Sequence, residues 1–178
     1  TRSAHREAVG YFEQALSALP QLPEQRDTRE QAVDLWLALS SALHPSGDSG
    51  RILAALREAE ALTETLNDHR RLGQVSMRLS IRFRLMGAHD QAIAAGQRTL
   101  TLATANVDAV LHALANLYLG EAYKAQGDYC RAIVCFRQTV ASLDGAQRYE
   151  RFGQFILPAV DSCAWLAVCH AELGTFAE

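Results

Sequence analysis

Residues 119–136 read LGEAYKAQGDYCRAIVCF, and the separations between Leu119, Gly120, Tyr123, Gly127, Tyr129, Ala132 and Phe136 recur elsewhere in the chain. Gly47, Gly87 and Gly127 stand 40 residues apart, and Gly174 follows after a further 47. Upstream of these glycines, Trp36, Leu39, Ser40 and Leu43 align with Ser76, Leu79, Ser80 and Phe83. The same offsets hold Asn116, Leu119, Gly120 and Tyr123, then Cys163, Leu166, Ala167 and His170. Downstream, Ile52, Leu56 and Ala59 align with Ala92, Gly96 and Thr99, and with Ala132, Phe136 and Thr139. Ala8, Phe12, Ala15 and Leu16 share the downstream register and end at Pro20. Self-similarity at a period of this size marks an array of supersecondary units.

Each recurring position has a task in a helical hairpin. Leu39, Leu79, Leu119 and Leu166, with Leu43, Phe83 and Tyr123, form apolar stripes at helical spacing that must be buried. The small residues Ser40, Ser80, Gly120 and Ala167 let the second helix of a hairpin approach the first near Ala92 and Ala132. The repeated glycines end the first helix with a positive φ. GAHDQA and GDYCRA then start the second, with Asp90 and Asp128 near its positive N-terminal end. No stretch sustains the period-two alternation of a strand. The pattern predicts helices over about 4–19, 29–45, 50–66, 69–86, 89–104, 107–126, 129–143 and 151–173, with ends uncertain by ~2 to 4 residues. The expected fold is all-α: a right-handed solenoid of antiparallel helix hairpins, each burying its neighbour's face.

This scheme resembles the tetratricopeptide repeat (TPR) family over nearly the whole chain. It departs from that family's pattern in its period, 40 residues here, and in keeping the closing proline only as Pro20. The resemblance divides residues 1–178 into a half-repeat 1–24, repeats 28–67, 68–107 and 108–147, and a half-repeat 150–178. The last third, through Glu150, Arg151, Phe152, Gly153, Leu157, Pro158, Ala159, Trp165 and Leu166, is similar to the C-terminal repeat region of bacterial signalling proteins. Those proteins join a nucleotide-cyclase-like domain and an AAA-type ATPase to a helical array. The resemblance implies that this chain is a non-catalytic fragment of a larger signalling protein.

Composition narrows the function classes. A net charge of −3, from 17 basic and 20 acidic residues spread along the chain, offers no polycationic face for nucleic acid or anionic lipid. No apolar run reaches the ~18 residues a membrane span requires, and the first residues lack the order of a signal peptide, so a cytoplasmic location is expected. All basic residues but Lys124 are arginine, a composition that suits a GC-rich bacterial genome. Cys130, Cys135, Cys163 and Cys169 form no CxxC pair, and the six histidines form no HExxH motif. They read as reduced, mostly buried thiols and scattered imidazoles; no metal or other cofactor is expected.

Gly47, Asp48, Ser49 and Gly50 spell GDSG, which is similar to the nucleophile motif of trypsin-like proteases. That serine works only within a β-barrel that brings a His and an Asp to it. Here GDSG falls at a hairpin turn, where Asp48 and Ser49 suit a helix cap. No phosphate-binding glycine loop follows a strand, and no residue is assigned a catalytic role.

A binding function is expected instead. By analogy with the TPR family, the first helix of each hairpin lines a concave groove. It would present Leu37 and Ser41 with His44; then Met77, Arg78, Ile81 and Arg84 with Gln74 and Leu85; then Leu117, Tyr118, Glu121 and Lys124 with Leu114; then Asp161 and Trp165 with Val168. Met, Tyr, Trp and Arg are the types enriched at interface centres. The chaperone-tail binders of this family clamp a terminal carboxylate with lysines, arginines and asparagines on successive first helices. Of the matching set Leu37, Ser41, Arg78, Leu114 and Tyr118, only Arg78 keeps that chemistry. The expected partner is a protein or peptide, or another domain of the same chain, bound by a regulatory scaffold. A passive spacer is the alternative, as is self-association through the half-units, with Phe12 and Trp165 on uncovered faces.

Overall fold

The computed structural model describes the backbone of residues 2–175, and side chains from residue 5 onward. The described residues form helices α1 Arg2–Ala18, α2 Arg26–Ala42, α3 Ser49–Leu66, α4 His69–Leu85, α5 His89–Ala105, α6 Ala109–Gln126, α7 Tyr129–Ser142 and α8 Pro158–Leu173. Consecutive helices pack as antiparallel neighbours, and α4 meets α6 as α6 meets α8. Short 3-10 turns occupy Leu19–Gln21, His44–Ser46 and Gly145–Tyr149.

Seven of the helices begin within a few residues of their expected positions, and α8 does not. It starts at Pro158 rather than near 151. Proline suits the first turn of a helix because it needs no N–H partner there, and it disfavours helix at the residue before it. Phe152 and Gly153 add left-handed φ values of 48° and 75°. Residues 150–157 therefore cross the molecule as an irregular segment.

Two turn types repeat at the 40-residue period. Gly47, Gly87 and Gly127 adopt φ values of 71°, 76° and 86° between the helices of a hairpin, where a side chain would be strained. The turns between hairpins place Asn67 and Val107 at φ 52° and 53°. The next residue caps the following helix in each case. Asp68 and Asp108 accept the Arg71 and Leu111 N–H groups, and Asp48 and Asp128 do the same for Arg51 and Arg131, at 2.9–3.0 Å. Asp48 thus acts as a helix cap within GDSG, with Ser49 the first helical residue.

The core runs along the stack. One buried cluster links Val33, Leu37 and Leu39 of α2 to Leu56 of α3 and to Val75, Leu79 and Phe83 of α4. A second links Met77 of α4 to Leu117 and Leu119 of α6, Phe136 of α7 and Cys169 of α8. Every residue of α6 from Ala113 to Tyr123 is buried. Ser80 donates to the Ala92 carbonyl at 2.7 Å, and Thr139 to the Ala113 carbonyl at 3.1 Å, so the small polar residues tie α4 to α5 and α6 to α7. Phe12 packs on the first cluster. The outer side of α8 leaves Val160, Ala164, Ala167 and Val168 exposed.

A Cβ on Gly120 would lie 2.8 and 2.9 Å from two ring atoms of the fully buried Phe136. A Cβ on Gly73 meets only one Leu111 methyl that closely, at 2.7 Å. Gly120→Ala should therefore destabilise by a net ~1 to 3 kcal/mol, overpacking outweighing alanine's helix preference. Gly73→Ala should lie between neutral and about 1 kcal/mol stabilising, because that methyl can rotate away. Urea midpoints of the two variants check the order. Val107 holds a left-handed conformation that costs a residue with a Cβ about 1–2 kcal/mol. Val107→Gly should raise the urea midpoint, although glycine's looser unfolded chain takes back part of the gain.

Candidate functional site in the concave groove

Three first helices and the irregular segment converge on a cavity of about 290 Å³. Ser40, Ser41 and His44 come from the end of α2 and the turn after it, Met77, Arg78, Ile81 and Arg82 from α4, and Tyr118 from α6. Ile52 and Leu56 of α3 form the apolar floor, and Gly153, Gln154 and Phe155 close one side. The segment is held by a hydrogen bond from the Tyr118 hydroxyl to Gln154 Oε1 at 2.6 Å, and by Arg151 Nη1 donating to the Phe155 carbonyl. The Phe155 and His44 rings lie 6.4 Å apart, and both residues are exposed. They mark the rim.

Arg78 donates from Nη1 to the Leu37 carbonyl at 3.1 Å and to the Ser41 hydroxyl at 2.5 Å. Arg82, only 6% exposed, donates from Nη1 to the Ser49 hydroxyl at 3.3 Å. Its Nε has no hydrogen-bond partner among the described residues. Burial lowers the pKa of both guanidinium groups, opposed in Arg78 only by the nearby Tyr118 hydroxyl. Burial likewise raises the pKa of the Tyr118 phenol, which stays a neutral donor.

A second cluster lies beside the cavity, between α4, α6 and α8. Arg84 Nη2 approaches Glu121 Oε2 to 2.7 Å. That carboxylate oxygen lacks an aligned N–H, so the contact is a charge pair rather than a directed hydrogen bond. Burial raises the Glu121 pKa, Arg84 counteracts this, and Asp161 adds to the rise. Trp165 Nε1 donates to Asp161 Oδ2 at 2.9 Å, and Lys124 Nζ sits 3.4 Å above the Trp165 ring. This cation over the indole face is an attractive contact.

The sequence-predicted groove residues thus divide. Ser41, Met77, Arg78, Ile81 and Tyr118 line the cavity. Arg84, Glu121, Lys124, Asp161 and Trp165 meet each other across three helices. Leu37 and Leu117 are 6% and 0% exposed, with side chains in the core, because a helix packed on both sides keeps little free surface. Leu37 takes part through its carbonyl.

Sequence reading did not assign Arg82, Gln154 or Phe155 to the groove. Arg82 stands four residues after Arg78, so helical spacing could have placed it on the same face. Gln154 and Phe155 fall where a helix was expected. Cys135 and Cys169 are buried, whereas Cys130 and Cys163 are exposed, against the expectation of mostly buried thiols. Burial pushes the Cys135 thiol up to about 11. No group of three or more metal-ligating side chains occurs among the described residues, and none of their helices is long and apolar enough to cross a membrane.

No family model matches the chain, and no curated protein matches it in sequence. Solved structures do match. A Podosopora anserina protein, described as a putative kinesin light chain with nearly identical TPR-like repeats, aligns with a TM-score of 0.72 at 16% identity, over 97% of this chain and 80% of that one. A singly substituted variant of that protein aligns with a TM-score of 0.73 at the same identity and coverage. The shared feature is the fold, and in fold this chain is a TPR-like repeat protein built of antiparallel helix hairpins.

Proposed function

We propose that this chain is a protein-interaction and regulatory scaffold that holds a peptide or a neighbouring domain in its concave groove. TPR-like arrays are in general protein-binding modules, and the comparison of fold supports that class. One observation carries the choice of groove: side chains from three successive first helices converge on a single cavity with apolar walls and unmatched polar groups. Binding sites combine these features. A passive spacer has no need of a buried arginine, Arg82, without a carboxylate. The likeness of residues 150–166 to the repeat region of bacterial cyclase and ATPase proteins supports a place in a larger cytosolic signalling chain. Self-association through the last helix is a second reading, favoured by the exposed Val160, Ala164 and Val168.

The test begins with peptides selected from a random display library against the chain. Fluorescence anisotropy then compares a groove variant, Ile81→Glu, with a variant on exposed α7, Val134→Glu. Loss of a central contact worth ~2 kcal/mol should weaken binding about 30-fold in the groove variant, and the α7 variant should bind like the parent. A library that yields no binder, or binders insensitive to Ile81→Glu, would favour the spacer. A mass in solution that doubles in the parent chain and returns to monomer in Val168→Glu would favour self-association.

A further inference from the structure

We infer that the cavity between α2, α4 and residues 153–155 is a binding site for a small organic carboxylate, its acid group held by Arg78 and Arg82 and its apolar body against Ile52, Leu56 and Ile81. The site lies within the groove assigned above to partner binding, so the inference rests on that reading of the groove, and its occupant would be an effector of the scaffold.

Charge is the first argument. The arginines of this chain that bridge helices mostly meet acids: Arg71 meets Asp34, Arg98 meets Glu60 and Glu64, and Arg84 meets Glu121. Arg78 and Arg82 have no carboxylate within ion-pair distance among the described residues, and no acidic residue lines the cavity. They stand four residues apart on one helix, so their heads share a face. Arg82 is more than nine-tenths buried with its Nε unpartnered. Every hydrogen bond of Arg78 leaves from Nη1 and ends on a neutral oxygen. Burying a charge is costly unless a counter-charge and hydrogen bonds meet it, and a planar guanidinium matches a carboxylate with two parallel N–H donors. The missing partner is an anion with flat oxygen geometry.

Size and enclosure supply the second argument. About 290 Å³ lies at the lower edge of the roughly 300–1,000 Å³ typical of small-molecule sites. Gln154, tied to Tyr118, and Phe155, facing His44, cross the groove on one side of the cavity. A small acid fits in the space beside this segment. The remaining walls, Met77 and Ile81 with the Ile52 and Leu56 floor, suit a compact apolar body.

Titration of the full chain with sodium phenylacetate, followed by the Nε–Hε resonances of the arginines in ¹H–¹⁵N spectra, tests the inference. Phenylacetamide has the same body without the charge, and it should bind about tenfold more weakly, the difference that one charge-assisted contact makes. Arg78→Met and Arg82→Met should each bring the two ligands to within about twofold of each other, and the shifts in the parent chain should fall on those two arginines. Equal binding of acid and amide, shifts confined to other arginines, or no binding at millimolar concentration overturns the inference. Inorganic phosphate binding where phenylacetate does not would overturn the carboxylate assignment. An acetylated Leu-Glu-Leu amide that outcompetes phenylacetate would overturn the small-ligand assignment in favour of a peptide's acidic side chain. If either methionine variant fails to fold, the comparison of acid with amide in the parent chain decides alone. Peptide binding by the groove can survive each of these failures, so the two readings stand or fall separately.

Discussion

The close approach of α6 and α7, made where the Phe136 ring lies over the bare Cα of Gly120, sets the geometry of the stack. A ring that is 0% exposed can sit there only if the opposing helix offers no side chain. Once the two axes are that close, Ala132 and the Thr139 hydroxyl fit against α6, and the whole inner surface of α6 from Ala113 to Tyr123 becomes core. The equivalent pair α4 and α5 uses Ser80, whose hydroxyl bonds the Ala92 carbonyl at 2.7 Å. The α6–α7 hairpin adds a size match to its Thr139 hydrogen bond, and the α4–α5 hairpin uses the Ser80 hydrogen bond. Both satisfy the same demand for close-packed helices.

Between hairpins the attachment has a second, polar layer. Arg71 grips Asp34 at 3.0 Å, Arg98 grips Glu60 and Glu64 at 2.7 and 2.6 Å, and Gln126 reaches Asp90 at 2.8 Å. These partners lie 34–38 residues apart in sequence, close to one repeat period, because equivalent faces of successive hairpins lie side by side. Arg98, Glu64 and Asp34 are substantially exposed, so the Arg98–Glu64 and Arg71–Asp34 pairs contribute no more than about 1 kcal/mol each. Their value is in fixing the register of one hairpin on the next. Buried apolar surface supplies most of the stability.

The regular array stops after α7, and that interruption shapes the groove. Leu143 is buried beneath the turn, Phe152 and Ile156 pack onto the second core cluster, and Phe155 is left 89% exposed beside His44. A segment anchored by three apolar side chains and the Tyr118–Gln154 hydrogen bond is a structural part of the concave face. It joins the last helix to a cavity whose other walls come from α2, α3, α4 and α6.

Periodicity alone carried the order of the packed helices and most of their limits. Helical spacing, turn glycines and capping aspartates such as Asp48 and Asp128 act within a few residues of themselves. The second turn type, Asn67 and Asp68 echoed by Val107 and Asp108, was also present at the same period. Residues 150–157 escaped the reading because their apolar side chains imitate a helix, while the left-handed Phe152 and Gly153 and the proline at 158 break it. The analogy with TPR arrays placed Arg78 and Tyr118 in the groove, but it could not say that Leu117 would be enclosed on both sides. Nor could it separate Arg84, which meets Glu121, from Arg78 and Arg82, which meet only hydroxyls and a carbonyl. The charge state of the groove depends on which side chains the neighbouring hairpins bring within about 4 Å, where Coulomb energies are large. That distance is set by the packing of helices far apart in the chain, and only the tertiary structure fixes it.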